Sequence, residues 1–259
     1  MTARKPLQIF LAVQKALFLR ELGMRFSAGK AGLFWTFFEP FMQVLVMVLI
    51  KMLLFGRASD TFDFAVFLAL NFTAYNLFKN IVDKSLATFK ANKGLFIYKQ
   101  VKPINTIFAR ALVEIYITSI IILIFVGIGL YFNFDLNVKN LPLVFLGFVI
   151  LIIFAISIGI LMSVLNHFYN SIGKVFNILM RLLLFISALF YTVEMLPPVF
   201  QKIVLINPLT HIMEVIHGYY FYTLDDKYVS YNYIFIWILS VLFIGLKIYK
   251  ALERKIISS

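Results

Sequence analysis

The residues able to do chemistry in this sequence are few and scattered. Of the three histidines, His167, His211 and His217, the last two lie six positions apart. An i, i+4 spacing would put two ligands on one helix face, six does not, and no carboxylate cluster completes a metal site. Cysteine is absent, so thiol catalysis and disulfides are excluded. No Ser, His and Asp arrangement can be argued from these spacings. Residues 23–40, GMRFSAGKAGLFWTFFEP, hold Gly23, Gly29 and Lys30 much as a phosphate-binding loop would. That loop needs four residues between its glycines and Ser or Thr after the lysine, whereas here five intervene and Ala31 follows. No nucleotide site is read there.

Ionisable residues inside apolar runs are the next candidates, because a charge at membrane depth is costly and so invites a functional reading. They are Glu39, Lys51, Arg110, Glu114 and Arg181. Arg110 and Glu114 are four apart on one helix face, and the spacing predicts that they pair with each other. Arg181 and Lys51 can snorkel toward opposite faces. Glu39, between Trp35 and Pro40, is less easily explained.

The elements that must position these residues are membrane helices. The chain has 259 residues, 62% apolar, with 30 Phe and 14% charged residues, against roughly 25% charged in a soluble domain. Such an excess cannot be hidden in one soluble core. Six apolar runs, 33–55, 64–88, 104–132, 141–165, 175–193 and 232–250, meet or approach the roughly 20 residues of a span. Residues 1–30 read as an amphipathic helix at the membrane surface, with Leu7, Phe10, Leu11, Leu17 and Phe18 toward lipid or protein. The helix is expected to stay uncleaved, since Gln14, Lys15, Arg20 and Glu21 interrupt its apolar patch. Ala155, Gly159 and Ser163 give the fourth span a small-residue face suited to helix packing.

The connections carry orientation. With six spans, Arg4, Lys5, Lys15, Arg20, Arg25 and Lys30 fall on one side with Lys79, Lys84, Lys90, Lys93, Lys99, Lys102, Arg110 and Lys174, and with Lys247, Lys250, Arg254 and Lys255. The other side holds Arg57, Lys139, Lys202 and Lys227 beside Asp60, Asp63, Asp135, Glu194, Glu214, Asp225 and Asp226. Both termini are therefore expected to be cytoplasmic. Topology and lipid headgroups then account for the net charge of +12, and no nucleic-acid partner is implied. Segment 194–231 is too apolar for a solvated loop and too broken by Pro197, Pro198 and Pro208 to span, so two short helices that dip into the membrane and return are expected, or an amphipathic hairpin on its surface. In 89–103, Leu95, Phe96, Ile97 and Tyr98 form an apolar patch in a basic loop, which suits a protein partner or the lipid surface. Aromatic residues crowd the outer side, among them Tyr191, Tyr219, Tyr220, Tyr222, Tyr228, Tyr231 and Tyr233, as an interfacial belt or as flat faces along a sugar passage.

These features converge on a family. The surface helix, the stretch R-F-S-x-G-K-A-G-L-F-W-T-F-F-E-P, the six spans and L-P-P…N-P-L-T-H-I-M-E before the last one resemble type-2 ABC exporter permeases. The likeness is greatest to those exporting capsular polysaccharide across the Gram-negative inner membrane. The resemblance implies an all-α integral membrane protein forming a single transmembrane domain over 1–259, with a re-entrant gate at 194–222. It implies a homodimeric channel for a glycolipid-linked polysaccharide, two cytoplasmic ATPase subunits carrying ATP and Mg, and a periplasmic adaptor. The resemblance further implies that the permease is not itself an enzyme and binds no cofactor or metal. By resemblance, Asn92, Lys93, Gly94, Leu95, Phe96 and Tyr98 couple to the ATPase, while Arg25, Lys30, Trp35 and Glu39 form the interface and channel entrance. Tyr191, Pro197, Asn207, Pro208, His211, Glu214, Tyr219 and Tyr222 belong to the channel or outer gate. Relatives often carry arginine near the position of His217, which departs from that pattern. O-antigen, teichoic acid, drug and lipid exporters share the architecture. An ion-coupled transporter or channel would instead show paired interrupted helices in two repeats, and an intramembrane enzyme would need a reactive pair at matched depth.

Overall fold

The computed structural model describes residues 5–27, 29–55 and 62–258, with the side chains of Lys30, Ala31, Leu33, Leu54 and Phe55 left aside. Arg4, Arg57, Asp60 and the Lys30 side chain thus lie outside the described residues. Every regular element among them is helical: α1 Pro6–Phe26, α2 Gly29–Phe55, α3 Phe64–Leu86, α4 Thr88–Ala91, α5 Pro103–Tyr131, α6 Leu141–Phe168, α7 Ser171–Ile186, α8 Pro198–Val204, α9 Pro208–Tyr220 and α10 Tyr231–Ser258. The breaks follow local chemistry. Asp63 accepts the Ala65 N–H at 3.0 Å to start α3, and Asn140 accepts that of Leu143 at 3.2 Å to start α6. Proline occupies the first turn of α1, α5, α6, α8 and α9, where its missing N–H costs nothing. Pro40 lies inside α2, which nonetheless runs on to Phe55.

Among the described residues, five helices are long and apolar enough to cross a membrane: α2 over Phe34–Leu53, α3, α5, α6 and α10. The fold is thus an all-helical membrane protein, as its hydropathy required. The expected fifth span, 175–193, is different. Its helix α7 has 16 residues and stops at Ile186, because the chain turns at Ala188, whose φ of +56° no helix accepts. The carbonyls freed by the turn are satisfied from neighbouring elements. Thr210 donates its hydroxyl to Ile186 O at 3.0 Å, and Asn71 Nδ2 donates to Leu189 O at 2.9 Å. Beyond it, α8 and α9 are bent by 108° to one another across the break at 205–207, a bent pair where the two short helices are expected. Helix α9 does not lie on the surface, since Leu209 through Gly218 are all buried, whereas Val199, Phe200 and Ile203 of α8 are exposed.

The core is centred on α3, with Phe67, Leu68, Tyr75, Phe78 and Ile81 at most 1% exposed, and α6 and α9 pack beside it. Close approach depends on small residues. A Cβ on Gly147 of α6 would meet Ile216 of α9 at 2.9 Å, so glycine there lets α9 lie against α6. The small-residue face of α6 is likewise buried, with Gly159 against Ser85 of α3. A second apolar cluster, Phe89, Phe96, Ile107, Ile160, Val164, Tyr249 and Ile256, joins segment 88–101 to α5, α6 and the end of α10. The exposed Lys90, Lys93, Lys99, Lys102, Lys250, Arg254 and Lys255 surround it. We call this the basic end of the bundle, and the end holding α8, α9 and loop 132–140 the far end.

Candidate functional site

Two regions bring the candidate residues together. At the basic end, α1 docks on α5 through charges of opposite sense. Glu21 accepts from Arg110 Nε at 3.2 Å, and Arg25 donates to the buried carboxylate of Glu114. The expected pairing of Arg110 with Glu114 is therefore corrected. Both face α1, where Glu21 and Arg25 repeat the same four-residue spacing with the signs reversed, and cross-helix partners leave neither charge unmet. Arg110 also donates to Lys84 O at 2.5 Å, and the Gln14 amide donates to Asn105 O at 3.3 Å. On α1 Leu17 is buried, while Leu7, Phe10 and Leu11 are exposed.

Segment 88–101 is tied to the same network. Asn92, 1% exposed, accepts from Arg20 at 2.5 Å, and its amide lies 3.4 Å from Glu21 and 2.9 Å from Thr88 O. Asn92 is thus a tether to α1 rather than a surface group. A 3-10 turn over Lys93–Leu95 follows, and it sends the apolar patch two ways. Phe96 is 6% exposed, inside the second cluster, whereas Ile97 and Tyr98 are 83% and 65% exposed. Expected as a docking anchor, Phe96 is instead the peg that seats the segment in the bundle, because a tight turn can aim only part of a four-residue patch inward. Lys93 and Gly94 are exposed beside the outward pair, with Leu95 half-buried.

On α2, Trp35 is exposed within a run of rings that includes Phe34 and Phe38. Glu39 is exposed and accepts from Gln43 one turn on, at 3.4 Å. Lys51 has its ammonium 3.7 Å above the Phe64 ring. Arg181 is exposed on α7.

At the far end, α9 is held by polar side chains that bond backbone. Glu214, 3% exposed, accepts the Val193 N–H at 3.0 Å. His217 donates Nε2–H to Asn71 Oδ1, packs against Phe67 with the rings tilted by 44°, and brings Nδ1 to 3.5 Å from Glu214 without a hydrogen bond. His211 bonds Leu205 O through Nε2 at 2.8 Å and accepts the Ser230 N–H on Nδ1 at 3.2 Å. This pairing fixes the Nε2–H tautomer and uses both nitrogens in the fold. Asn207 caps Leu209 and donates to Ser187 Oγ at 2.8 Å. Tyr219 and Tyr231 donate to Asp226 at 3.0 and 2.8 Å, and these two hydroxyls hold that carboxyl below the usual carboxylate range. Gly218 abuts the Asp225 backbone so closely that a Cβ would sit 3.0 Å from it.

Tyr191 lines a recess of about 320 Å³ with Met47, Lys51, Phe64 and Met195. Pro197 and Tyr222 are exposed, and Pro208 starts α9 half-buried. Among the described residues no group of three histidine or acidic side chains could hold a metal ion.

A surface-type helix tied by ion pairs and Asn92 to α5 and segment 88–101 at one end, and a bent pair with α9 buried before the last long helix at the other, are the two regions to set against known proteins. The model of the ABC-2 type transporter family matches residues 15–221. The chain belongs to that family. It is 33% identical to the polysialic acid transport protein KpsM of Escherichia coli, over 99% of this chain and 100% of that protein. It is 25% identical to the capsule polysaccharide export inner-membrane protein BexB of Haemophilus influenzae, over 98% and 96%. It is 26% identical to the corresponding CtrC protein of Neisseria meningitidis serogroup A, over 92% and 91%. The family match stops after α9 and its Phe221, so it embraces both regions. Sequence reasoning missed Glu21 and Asn71, although the reversed pattern of Glu21 and Arg25 against Arg110 and Glu114 is a signal that could have found the first.

Proposed function

We propose that this chain is the membrane-spanning subunit of an ATP-driven exporter that moves lipid-linked capsular polysaccharide out of the bacterial cytoplasm. The observation that carries this reading is the end-to-end similarity to KpsM, extended by the capsule export proteins. Two copies enclose the passage, and ATP and Mg belong to two copies of a separate cytoplasmic ATPase. A periplasmic adaptor receives the polymer. Both termini and the basic end are cytoplasmic, as the distribution of Lys and Arg favours.

The geometry supports a route for coupling. Exposed Ile97 and Tyr98 present apolar surface to the ATPase within a basic rim, while Phe96 fixes the segment to α5, α6 and α10. Displacement of the segment is transmitted by Asn92 to Arg20 and Glu21 of α1, and by Glu21 to Arg110 of α5. At the periplasmic end α9 is the movable plug. Its polar anchors on residues 187–193 and α3 define the closed state, and polymer passage requires them to part.

Deletion of the gene in a capsulated strain tests this proposal. Polymer should accumulate inside the cell and return to the surface when the chain is restored. Normal surface capsule in the deletion strain would contradict it. Orientation is checked separately by single cysteines in intact cells. An impermeant thiol reagent should reach one at Asp226 and spare one at Lys93.

A further inference from the structure

The far half of the bundle contains a cavity of about 610 Å³ among α2, α3, α5 and α6, within the roughly 300–1,000 Å³ of sites that bury small ligands. Its origin lies in the packing. Both α2 and α5 rest on α3 but make little contact with each other, so a cleft remains, floored by α3 and closed at one end where Leu136 folds over Gly129. Val44 and Val48 form one wall and Phe125 another, and Val66, Ala69 and Thr73 form the floor. Thr73 is the one polar side chain on that floor, and its hydroxyl is bonded back to Ala69 O at 2.6 Å. Tyr220 adds the one other hydroxyl-bearing side chain of the lining, so a ligand in this cleft meets hydrocarbon along nearly all of its length.

We propose that this cavity is a binding site for one fatty acyl chain of a phospholipid in the surrounding bilayer. Water gains no hydrogen bonds from such walls, and an empty cleft leaves its lining without dispersion partners. The helices that form it are membrane spans, so the medium that can enter is lipid hydrocarbon. Burial of apolar area drives nothing in that medium. Occupancy rests instead on close contact between a flexible chain and walls already formed, on a floor that the bundle otherwise hides: Val66 and Thr73 are 8% and 4% exposed.

Photolabelling tests the assignment. The purified full-length chain is placed in phosphatidylcholine vesicles free of polysaccharide, with a trace of phosphatidylcholine bearing a diazirine in its acyl chain, and adducts are mapped by mass spectrometry. Adducts on residues 66–73 of α3 are expected. They should disappear in Ala69→Phe, and also in Val48→Phe, which fills the cleft from the opposite wall should the first variant fold poorly, while exposed Leu123 and Phe243 keep theirs. Adducts confined to Leu123, Phe243 and similarly exposed positions would overturn the proposal, whether the cleft is closed or covered by a second copy. Adducts on α3 that persist in both filled variants would also overturn it, as would adducts that form only after a polysaccharide-bearing lipid is added.

Discussion

Segment 88–101 and helix α9 both interrupt the run of long apolar helices, and both are amphipathic on paper, yet they sit in the bundle in opposite ways. The first is pinned by two buried rings, Phe89 and Phe96, and one buried amide, Asn92, and leaves Ile97 and Tyr98 outside. The second hides ten consecutive residues, 209–218, and turns Glu214 and His211 to backbone and His217 to Asn71. An element whose apolar surface is left outside can serve a partner. An element whose surface is consumed can act only by moving. The charges differ likewise, since the basic end uses part-buried ion pairs between helices, whereas at the far end the buried Glu214 and His211 satisfy backbone groups.

If this contrast is right, neighbouring residues in one patch must fail differently. Phe96→Ala removes a core ring and should lower stability by about 3–4 kcal/mol. Tyr98→Ala should leave stability within about 0.5 kcal/mol yet weaken ATPase binding about tenfold, or about 1.4 kcal/mol. Thermal unfolding of each purified variant, with ATPase recovered per permease, separates them. Similar losses of stability in both would erase the distinction between peg and surface.

The ion pairs can be probed by removing one partner. Arg25→Ala leaves the Glu114 carboxylate, 4% exposed, without its cation and should cost about 3 kcal/mol. Adding Glu114→Gln should recover much of that loss, because the amide carries no charge to strand. A double variant as unstable as the single one would show that packing, not charge, holds α1.

At the far end, Glu214→Ala leaves the Val193 N–H without an acceptor and should cost about 2 kcal/mol. Tm should fall, and a cysteine at Val193 should become reactive to an impermeant thiol reagent. An unchanged Tm would mean that the anchor does not hold the plug.

The smallest effect is expected at Asp226. Its carboxyl is held below the ordinary range, so its contribution is present above the unfolded value of about 3.9 and is lost as pH falls through the lower folded value. Being half-exposed, it should contribute below about 1 kcal/mol. Parent and Asp226→Asn should therefore differ slightly in Tm at pH 7 and converge at acid pH. A difference that grows on acidification would reverse the sign.

Much of this architecture was legible in the sequence, and the exceptions have physical causes. Long spans were readable because hydrocarbon demands uninterrupted apolar helix: α5 was expected at 104–132 and runs 103–131, and α6 was expected at 141–165 and runs 141–168. Hydropathy could not see the end of α7, since 187–193 stays apolar while the chain turns, and the turn is paid for by Asn71 and Thr210, distant in sequence. The patch at 95–98 was visible as a patch. Which of its side chains points inward depends on a single turn, and composition does not encode that. The Arg110 and Glu114 spacing was real, but a competing partner helix with the complementary spacing decided the pairing.

The most direct test of the central claim, that this membrane subunit is driven by a separate ATPase docked at the basic end, is site-specific photocrosslinking in living cells. With a photoreactive amino acid at Tyr98, the account predicts a crosslink to a cytoplasmic ATPase, and none from the same amino acid at Lys202 on the exposed helix α8. An ATPase captured from Lys202, or no ATPase captured from Tyr98 or from the adjacent Ile97, would contradict it.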